Sequence, residues 1–153
     1  MRYRFLCVDK LRDSAVAALV REFRTRLARY GTIEEVDVPG ANGGDPARAM
    51  RIEGERLLAR IAPNETVWLL ERTGVELDSR ELAERITTLE TAGESQITLV
   101  VAGAFGASDE LLARAEFRWS LTRLTLLHEW ARALVFEQLY RAAKIARGEP
   151  YHH

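Results

Sequence analysis

The sequence predicts an α/β fold in which a mostly parallel sheet is covered by helices on both faces. Short segments rich in branched and aromatic residues alternate along the chain with longer segments whose apolar residues recur at helical spacing. Strands and helices that alternate in this way form parallel sheets, because the helices connect successive strands and lie on the sheet. The length of 153 residues fits one domain, residues 1–153.

Five strands and five helices account for the alternation. They are strands over 2–8, 32–38, 66–70, 96–101 and 118–121, and helices over 14–30, 46–61, 79–91, 109–116 and 128–147. In the first half, Ser14 and Asp45 are suitable N-caps, and Pro46 stands at a first helical position, where a missing N–H is tolerated. The second strand stops at Pro39, which begins a loop over 39–44.

The second half follows the same rules. Loops over 71–77 and 102–107 and a connector over 122–127 join its elements. Asp78 and Ser108 are suitable N-caps for the third and fourth helices. Gly148 ends the last helix, and Pro150 prevents it from resuming.

The last helix is apolar on nearly its whole circumference. Trp130, Leu134, Val135, Leu139 and Tyr140 do not share one face, so the helix needs cover on more than one side. The sheet can cover one side, and we expect a second subunit to cover the other. The alternative is a central helix in a monomer.

Composition restricts the class of protein. The net charge of −1 argues against a free-standing binder of naked nucleic acid, though an enzyme that meets RNA inside a larger particle needs only a local basic patch. Cys7 is the only cysteine, and its apolar surroundings predict a buried thiol in a reducing compartment. Residues 1–10 are too charged for a signal peptide, and no apolar stretch has membrane-spanning length, so we expect a cytoplasmic protein.

Common cofactor motifs are absent from the sequence. No G-x-G-x-x-G follows the first strand, and no Walker-type phosphate loop occurs. No cysteine and histidine spacing suits zinc, so we expect no metal.

Three segments remain that can carry chemistry. The small-residue loop over 102–106 follows a buried strand, where it is either an ordinary turn or a place for a ligand to approach the backbone. The segment 119–127 is apolar but aperiodic, so it is either an irregular buried segment whose peptide groups bind a ligand or a strand without a clear pattern. The tail over 150–153 is a base-stacking and phosphate-binding element, a frayed end or a fragment of a purification tag.

Taken together, these segments resemble a known family. The stretches that carry the resemblance are Trp-Ser-Leu-Thr at 119–122, Leu-Thr-Leu at 124–126, His128, Arg132, Leu-Tyr-Arg-Ala at 139–142 and Pro-Tyr-His at 150–152, with weaker agreement at Gly103, Gly106, Leu70, Glu71, Glu53, Gly54, Val38 and Pro39. The chain is similar over nearly its whole length to the RlmH family, the SPOUT-type methyltransferases of bacterial large-subunit ribosomal RNA.

The resemblance implies a fold, a reaction and a site. The implied fold threads the C-terminal part into a trefoil knot, with knot and cofactor pocket formed mainly by residues 66–153. The implied enzyme is a homodimer that uses S-adenosylmethionine. It methylates N3 of a pseudouridine in helix 69 of 23S rRNA, in the assembled ribosome. The implied cofactor-binding residues are Leu70, Gly103, Thr122, Arg123, Leu124, Thr125, Leu126 and Leu127, and the implied RNA-binding residues are Arg141, Tyr151, His152 and His153.

The implied reaction requires removal of the N3 proton. His152 is the first candidate for the general base, and Glu137 is the second. Arg141 is a candidate for stabilising the imide anion. Each has a simpler alternative, since Arg141 can contact phosphate and Glu137 can pair with Arg141 at i, i+4.

The sequence departs from the family pattern at several positions. Ala102, Ala104, Leu127, Asp9 and His153 stand where the family usually has other residues. These departures leave open a non-catalytic, ribosome- or RNA-binding relative that retains the knotted fold. A plain flavodoxin-like binding protein without a knot or a dimer is the other alternative.

Overall fold

The structure, a computed structural model, describes residues 1–151 and contains the predicted alternation. The strands are β1 (Arg2–Val8), β2 (Thr32–Val38), β3 (Val67–Glu76), β4 (Gln96–Val101) and β5 (Phe117–Ser120). The helices are α1 (Ser14–Leu27), α2 (Pro46–Leu58), α3 (Ser79–Thr91), α4 (Asp109–Arg114) and α5 (His128–Ala146). The strands form one five-stranded sheet of order β2-β1-β4-β3-β5, and every pairing in it is parallel. The predicted parallel α/β sheet is therefore confirmed.

Helices cover both faces of this sheet, as predicted. On one face, α1, α3 and α5 bury apolar residues such as Val16, Leu82 and Val135 against the strands. On the other face, α2 and α4 contribute Leu57 and Leu111 to a smaller core. Burial of these apolar side chains on both faces of the sheet supplies the main driving force for folding.

Side-chain caps begin four of the five helices. Asp45, Asp78 and Ser108 cap α2, α3 and α4 as the sequence predicts. The prediction of Ser14 as the cap of α1 is wrong, because the carboxylate of Asp13 accepts hydrogen bonds from the first free N–H groups, those of residues 15 and 16. Asp13 and Ser14 are both good caps by residue type, and the backbone conformation selects the former.

The largest boundary correction concerns β3. The sequence predicts a strand over 66–70 and a loop over 71–77, whereas the strand continues to Glu76. It continues because it pairs with β5 on both sides of a register shift between Leu70 and Val75. Gly74 permits this pairing, since an added Cβ there would overlap the backbone of Arg118.

Smaller boundary corrections lie at helix ends and at β5. Helices predicted to end at 30, 61, 116 and 147 end at Leu27, Leu58, Arg114 and Ala146, and the strand predicted over 118–121 is Phe117–Ser120. After α1 the backbone changes to tighter i to i+3 bonds, such as Tyr30 N–H to Leu27 C=O at 2.9 Å, which end the helix. No helix within residues 1–151 has both the length and the apolar character to cross a membrane.

Candidate cofactor cleft

A cleft of about 350 Å³ opens at the carboxyl ends of β4 and β5, beside residues 70–72 in the middle of β3. The ends of β4 and β5, the segments that follow them and the first turn of α5 also line it. The lining residues are Leu70, Glu71, Arg72, Val101, Ala102, Gly103, Ala104, Phe105, Gly106, Ala107, Trp119, Leu121, Thr122, Leu124, Thr125, Leu126, His128 and Ala131. Ligands of open α/β sheets bind at this edge, and the volume lies in the usual range for small-molecule sites.

Six of the eight residues assigned to the cofactor from the resemblance line this cleft. They are Leu70, Gly103, Thr122, Leu124, Thr125 and Leu126. Arg123 and Leu127 lie outside the lining. Arg123 is exposed, with its Nε 3.8 Å from Glu76, and Leu127 is 71% exposed at the start of α5.

The connector predicted over 122–127 has no regular secondary structure, and it begins one residue earlier, at Leu121, because β5 ends at Ser120. Ser120 fixes its beginning, because its hydroxyl lies 2.9 Å from the carbonyl oxygen of Arg72 and 3.1 Å from that of Thr122. The N–H of Leu124 donates to the Thr122 hydroxyl at 3.2 Å. The expectation that this apolar segment is buried is wrong for the single chain, since Leu124 is 72% exposed.

The loop over 102–107 contributes six consecutive residues to the lining of the cleft. The N–H of Gly106 donates to the Gly103 carbonyl at 3.0 Å, and Gly106 has a φ of 89°, which favours glycine. An added Cβ at Gly103 would overlap Oε2 of Glu53. Glu53 belongs to α2 and is 6% exposed.

Of the residues assigned to RNA or catalysis, Glu137 and Arg141 lie on α5, and Tyr151 contacts both of them. Oε1 of Glu137 accepts hydrogen bonds from Arg141 Nη2 at 2.7 Å and from the Tyr151 hydroxyl at 3.0 Å. The predicted i, i+4 pair of Glu137 and Arg141 is therefore confirmed. The Arg141 guanidinium also lies 4.7 Å from the centre of the Tyr151 ring. His152 and His153 lie outside the described residues.

Sequence reasoning missed several residues of the cleft. Arg72 and Ala131 line it, and Glu53 contacts Gly103 from behind. The signal for the first two was available, since Arg72 lies two residues beyond the strand predicted over 66–70 and Ala131 one turn after His128, a residue of the resemblance. Glu53 lies on a helix distant in sequence. The only sequence signal for it was its place among the weaker matches of the resemblance.

Large apolar side chains remain exposed near the mouth of the cleft. Leu127, Trp130 and Leu134, here named the apolar stripe, are 71%, 56% and 40% exposed and follow one side of α5. Leu124 and Phe105 on the cleft walls are 72% and 53% exposed. Contiguous exposed apolar groups of this kind mark interaction surfaces.

A parallel α/β sheet with a glycine loop and an irregular apolar connector around one carboxyl-edge cleft defines a class of small-ligand-binding α/β proteins. Over residues 1–152 the chain matches the family model described as "Predicted SPOUT methyltransferase". The chain therefore belongs to the SPOUT methyltransferase family and is a methyltransferase.

Full-length relatives share a common name. The chain is 35% identical to "Ribosomal RNA large subunit methyltransferase H" of Desulfitobacterium hafniense (strain DSM 10664 / DCB-2), and the match covers 99% of each chain. It is 42% identical to the protein of that name from Anaeromyxobacter sp. (strain K), again over 99% of each chain.

Solved structures share the fold. A "Probable Methyltransferase" from Bordetella pertussis Tohama I superimposes with a TM-score of 0.57 at 17% identity, over 92% of this chain and 95% of that one. A Legionella pneumophila protein solved with the bound cofactor SAM gives a TM-score of 0.53 at 10% identity, over 93% and 66% of the two chains.

Proposed function

We propose that this SPOUT methyltransferase transfers the methyl group of S-adenosylmethionine to N3 of a pseudouridine in helix 69 of 23S rRNA, in the assembled ribosome. The observation that carries the proposal is the full-length identity of 35% to 42% with relatives named for methylation of large-subunit ribosomal RNA. The cleft described above supports it, since most residues assigned to the cofactor from the resemblance line that cleft. Because the substrate is ribosomal, the proposed location is the cytoplasm.

The residues of the cleft fit S-adenosylmethionine. Apolar side chains such as Leu70, Leu121 and Leu126 suit the faces of an adenine ring, and the irregular connector offers peptide groups to its polar edge. Glu71 is a lining carboxylate that can pair with a cationic group. When bound, the cofactor supplies an activated methyl group, and the protein's task is to align the accepting nitrogen with it.

The cleft belongs to the part of the chain for which the resemblance implies a knot. Its lining residues run from Leu70 to Ala131, within the proposed knotted segment 66–153. Threading this segment through a loop would hold the irregular connector rigidly without regular secondary structure. The trefoil knot is therefore part of the proposal.

A homodimer is the second part of the proposal. The apolar stripe lies next to His128 and Ala131 of the cleft, so a second copy of the chain seated on it would cover exposed leucine and tryptophan side chains. Two copies related by a two-fold axis present the same patch to each other, so one stripe covers the other.

The proposed RNA-facing residues are Arg141, Tyr151, His152 and His153. Arg141 carries a permanent positive charge, and Tyr151 offers a ring for stacking on a base. His152 remains the first candidate for removing the N3 proton. Glu137 is a weaker candidate, because its Oε1 already accepts hydrogen bonds from Arg141 and Tyr151.

A methylation assay tests the reaction. Ribosomes from a strain that lacks the modification are incubated with the protein and labelled S-adenosylmethionine, and the digested nucleosides are analysed by mass spectrometry. We expect 3-methylpseudouridine from helix 69, and less of it from naked 23S rRNA. Methylation of another nucleoside contradicts the proposed target. Tight cofactor binding without methylation, or no cofactor binding at all, favours the non-catalytic relative.

Amide hydrogen exchange tests the placement of the cofactor. Addition of S-adenosylmethionine should slow exchange in peptides that cover residues 102–107 and 121–127, because ordering of these walls restricts their opening. Peptides from α3, which does not line the cleft, serve as the internal control. Protection confined to other regions of the chain contradicts this placement.

A further inference from the structure

The carboxylate of Glu53 is buried behind the cleft without full hydrogen bonding. Glu53 is 6% exposed, and its Oε1 accepts a hydrogen bond from the N–H of Ala41 at 3.1 Å. Its Oε2 has no hydrogen-bond partner among the described residues. A buried and partly unsatisfied carboxylate destabilises a fold, and residues that break such a rule concentrate at functional sites.

The Glu53 carboxyl group packs against Gly103 of the cleft. If Gly103 carried a Cβ, the three nearest atoms to it would all belong to this carboxyl group, and Oε2 would overlap it. Gly103 itself lines the cleft. The Glu53 carboxylate therefore limits how far the backbone of Gly103 can move away from the cleft and toward α2.

The next residue of α2 supports the other end of the same loop. An added Cβ at Gly54 would overlap the Ser108 hydroxyl, whose oxygen accepts the hydrogen bond from Leu111 N–H at 3.3 Å at the start of α4. Glycine weakens a helix interior relative to alanine, so its place here reflects a need for close approach. Consecutive residues of one helix thus fix both ends of the loop over 102–107.

Glu53 also joins this loop to the loop over 39–44. The hydrogen bond from Ala41 ties Glu53 to that loop, and Arg56 of the same helix donates to the carbonyl oxygens of Pro39 and Gly40 at 2.8 and 3.1 Å. Residues of α2 therefore contact both loops.

We propose that Glu53 is a positioning residue for the methyl donor, which acts by holding Gly103 at the position that the bound cofactor requires. This inference rests on the proposed placement of S-adenosylmethionine in the cleft. This positioning depends on the volume of the Glu53 side chain and on its oxygen that accepts the hydrogen bond from Ala41 N–H. Glutamine therefore preserves the function of Glu53 and alanine does not.

Calorimetric titration of the full-length variants with S-adenosylmethionine tests the proposal. Glu53→Ala should weaken binding about tenfold at unchanged stoichiometry, because a displaced wall costs affinity without unfolding the protein. Glu53→Gln should stay within about threefold of the wild type, because it keeps the shape and the acceptor. Glu55→Gln, on the exposed side of the same helix, is the matched control and should leave the Kd unchanged.

A double-mutant cycle tests whether the effect passes through Gly103. Gly103→Ala alone should weaken binding about tenfold, whereas in the Glu53→Ala background it should add less than about twofold, because the carboxylate no longer occupies the space. Independent, additive effects overturn the proposal. The proposal is also overturned if Glu53→Ala leaves the Kd for S-adenosylmethionine unchanged, if it lowers only the binding stoichiometry, or if Glu53→Gln loses as much affinity as Glu53→Ala.

Hydrogen exchange separates this inference from the proposed cofactor site. If the cofactor protects residues 102–107 in the wild type but Glu53→Ala binds normally, only the positioning role of Glu53 is wrong. If the cofactor leaves that loop unprotected, the placement of the cofactor and the role of Glu53 are both wrong.

Discussion

The hydroxyl of Tyr151 donates a hydrogen bond to Oε1 of Glu137 at 3.0 Å, which ties the last described residue to the middle of α5. The Tyr151 ring also packs edge-on against Tyr140, with ring centres 4.7 Å apart. The proposed RNA-binding tail therefore begins from a fixed position on the helix, and this order does not require RNA.

Titration of Tyr151 provides the first prediction. Burial, and then the hydrogen bond to Glu137, raise the pKa of Tyr151 above its ordinary value of 10.0. The stabilisation by this hydrogen bond is present below pH 10 and is lost as the pH rises through the higher folded-state pKa. The difference in phenolate absorbance between wild type and Tyr151→Phe should therefore show a step above pH 10. A step at or below pH 10 contradicts the docked tail.

A buried ion cluster between α5 and β2 provides the second prediction. Arg132, 5% exposed, donates to Asp37 at 2.8 Å and to Glu35 at 2.5 Å. Arg132→Ala should lower the free energy of unfolding by about 2–4 kcal/mol, because it removes the buried cation from the partly buried carboxylates of Asp37 and Glu35. Urea denaturation measures the change.

The chain contains a matched control for this prediction. Arg24 pairs with the same Glu35 at 2.8 Å, but its side chain is 46% exposed. Arg24→Ala should cost about 1 kcal/mol or less, since water screens an exposed pair. Equal losses for Arg24→Ala and Arg132→Ala would show that burial does not distinguish the two pairs.

The buried thiol provides the third prediction. Burial raises the pKa of Cys7, which is 2% exposed, to about 12. The neutral thiol favours the folded state below the unfolded pKa near 9.0, and this contribution is lost as the pH rises toward 12. Ellman's reagent at pH 8 should therefore leave the native protein unmodified and label it rapidly in guanidinium chloride. Fast labelling of the native protein argues against this burial.

The apolar stripe provides the fourth prediction. We expect Trp130→Glu to convert a dimer to a monomer in sedimentation velocity, because a charge at the centre of an apolar contact remains unpaired. Leu19→Glu on α1 is the control, since Leu19 is 52% exposed but lies outside the stripe. A wild-type monomer at micromolar concentration, or an equal effect of both changes, refutes the proposed interface.

Much of the fold follows from local patterns in the sequence. Aspartate and serine caps, apolar periodicity and strand-breaking prolines identify the elements, because these signals act within a few residues of where they occur. The extension of β3 to Glu76 was not predictable in this way. It depends on pairing with β5 across Gly74, and the partner strand lies more than one helix away along the chain.

The cleft was predictable in part for a similar reason. Gly103 and Thr122 each follow a strand, Leu70 ends the strand predicted over 66–70, and the carboxyl ends of parallel strands meet at one edge. The role of Glu53 was not predictable, because it arises from the packing of α2 against a loop distant in sequence. The exposure of Leu124 was also unexpected, since an apolar irregular segment is expected to be buried.

The outer strands of the sheet limit how these molecules associate. β2 carries Glu34, Glu35 and Asp37 within seven residues, and β5 has only four residues, with Arg118 exposed. Short or acidic border strands are poor templates for strands of other molecules. The border strands therefore disfavour fibril-like stacking of this protein at high concentration.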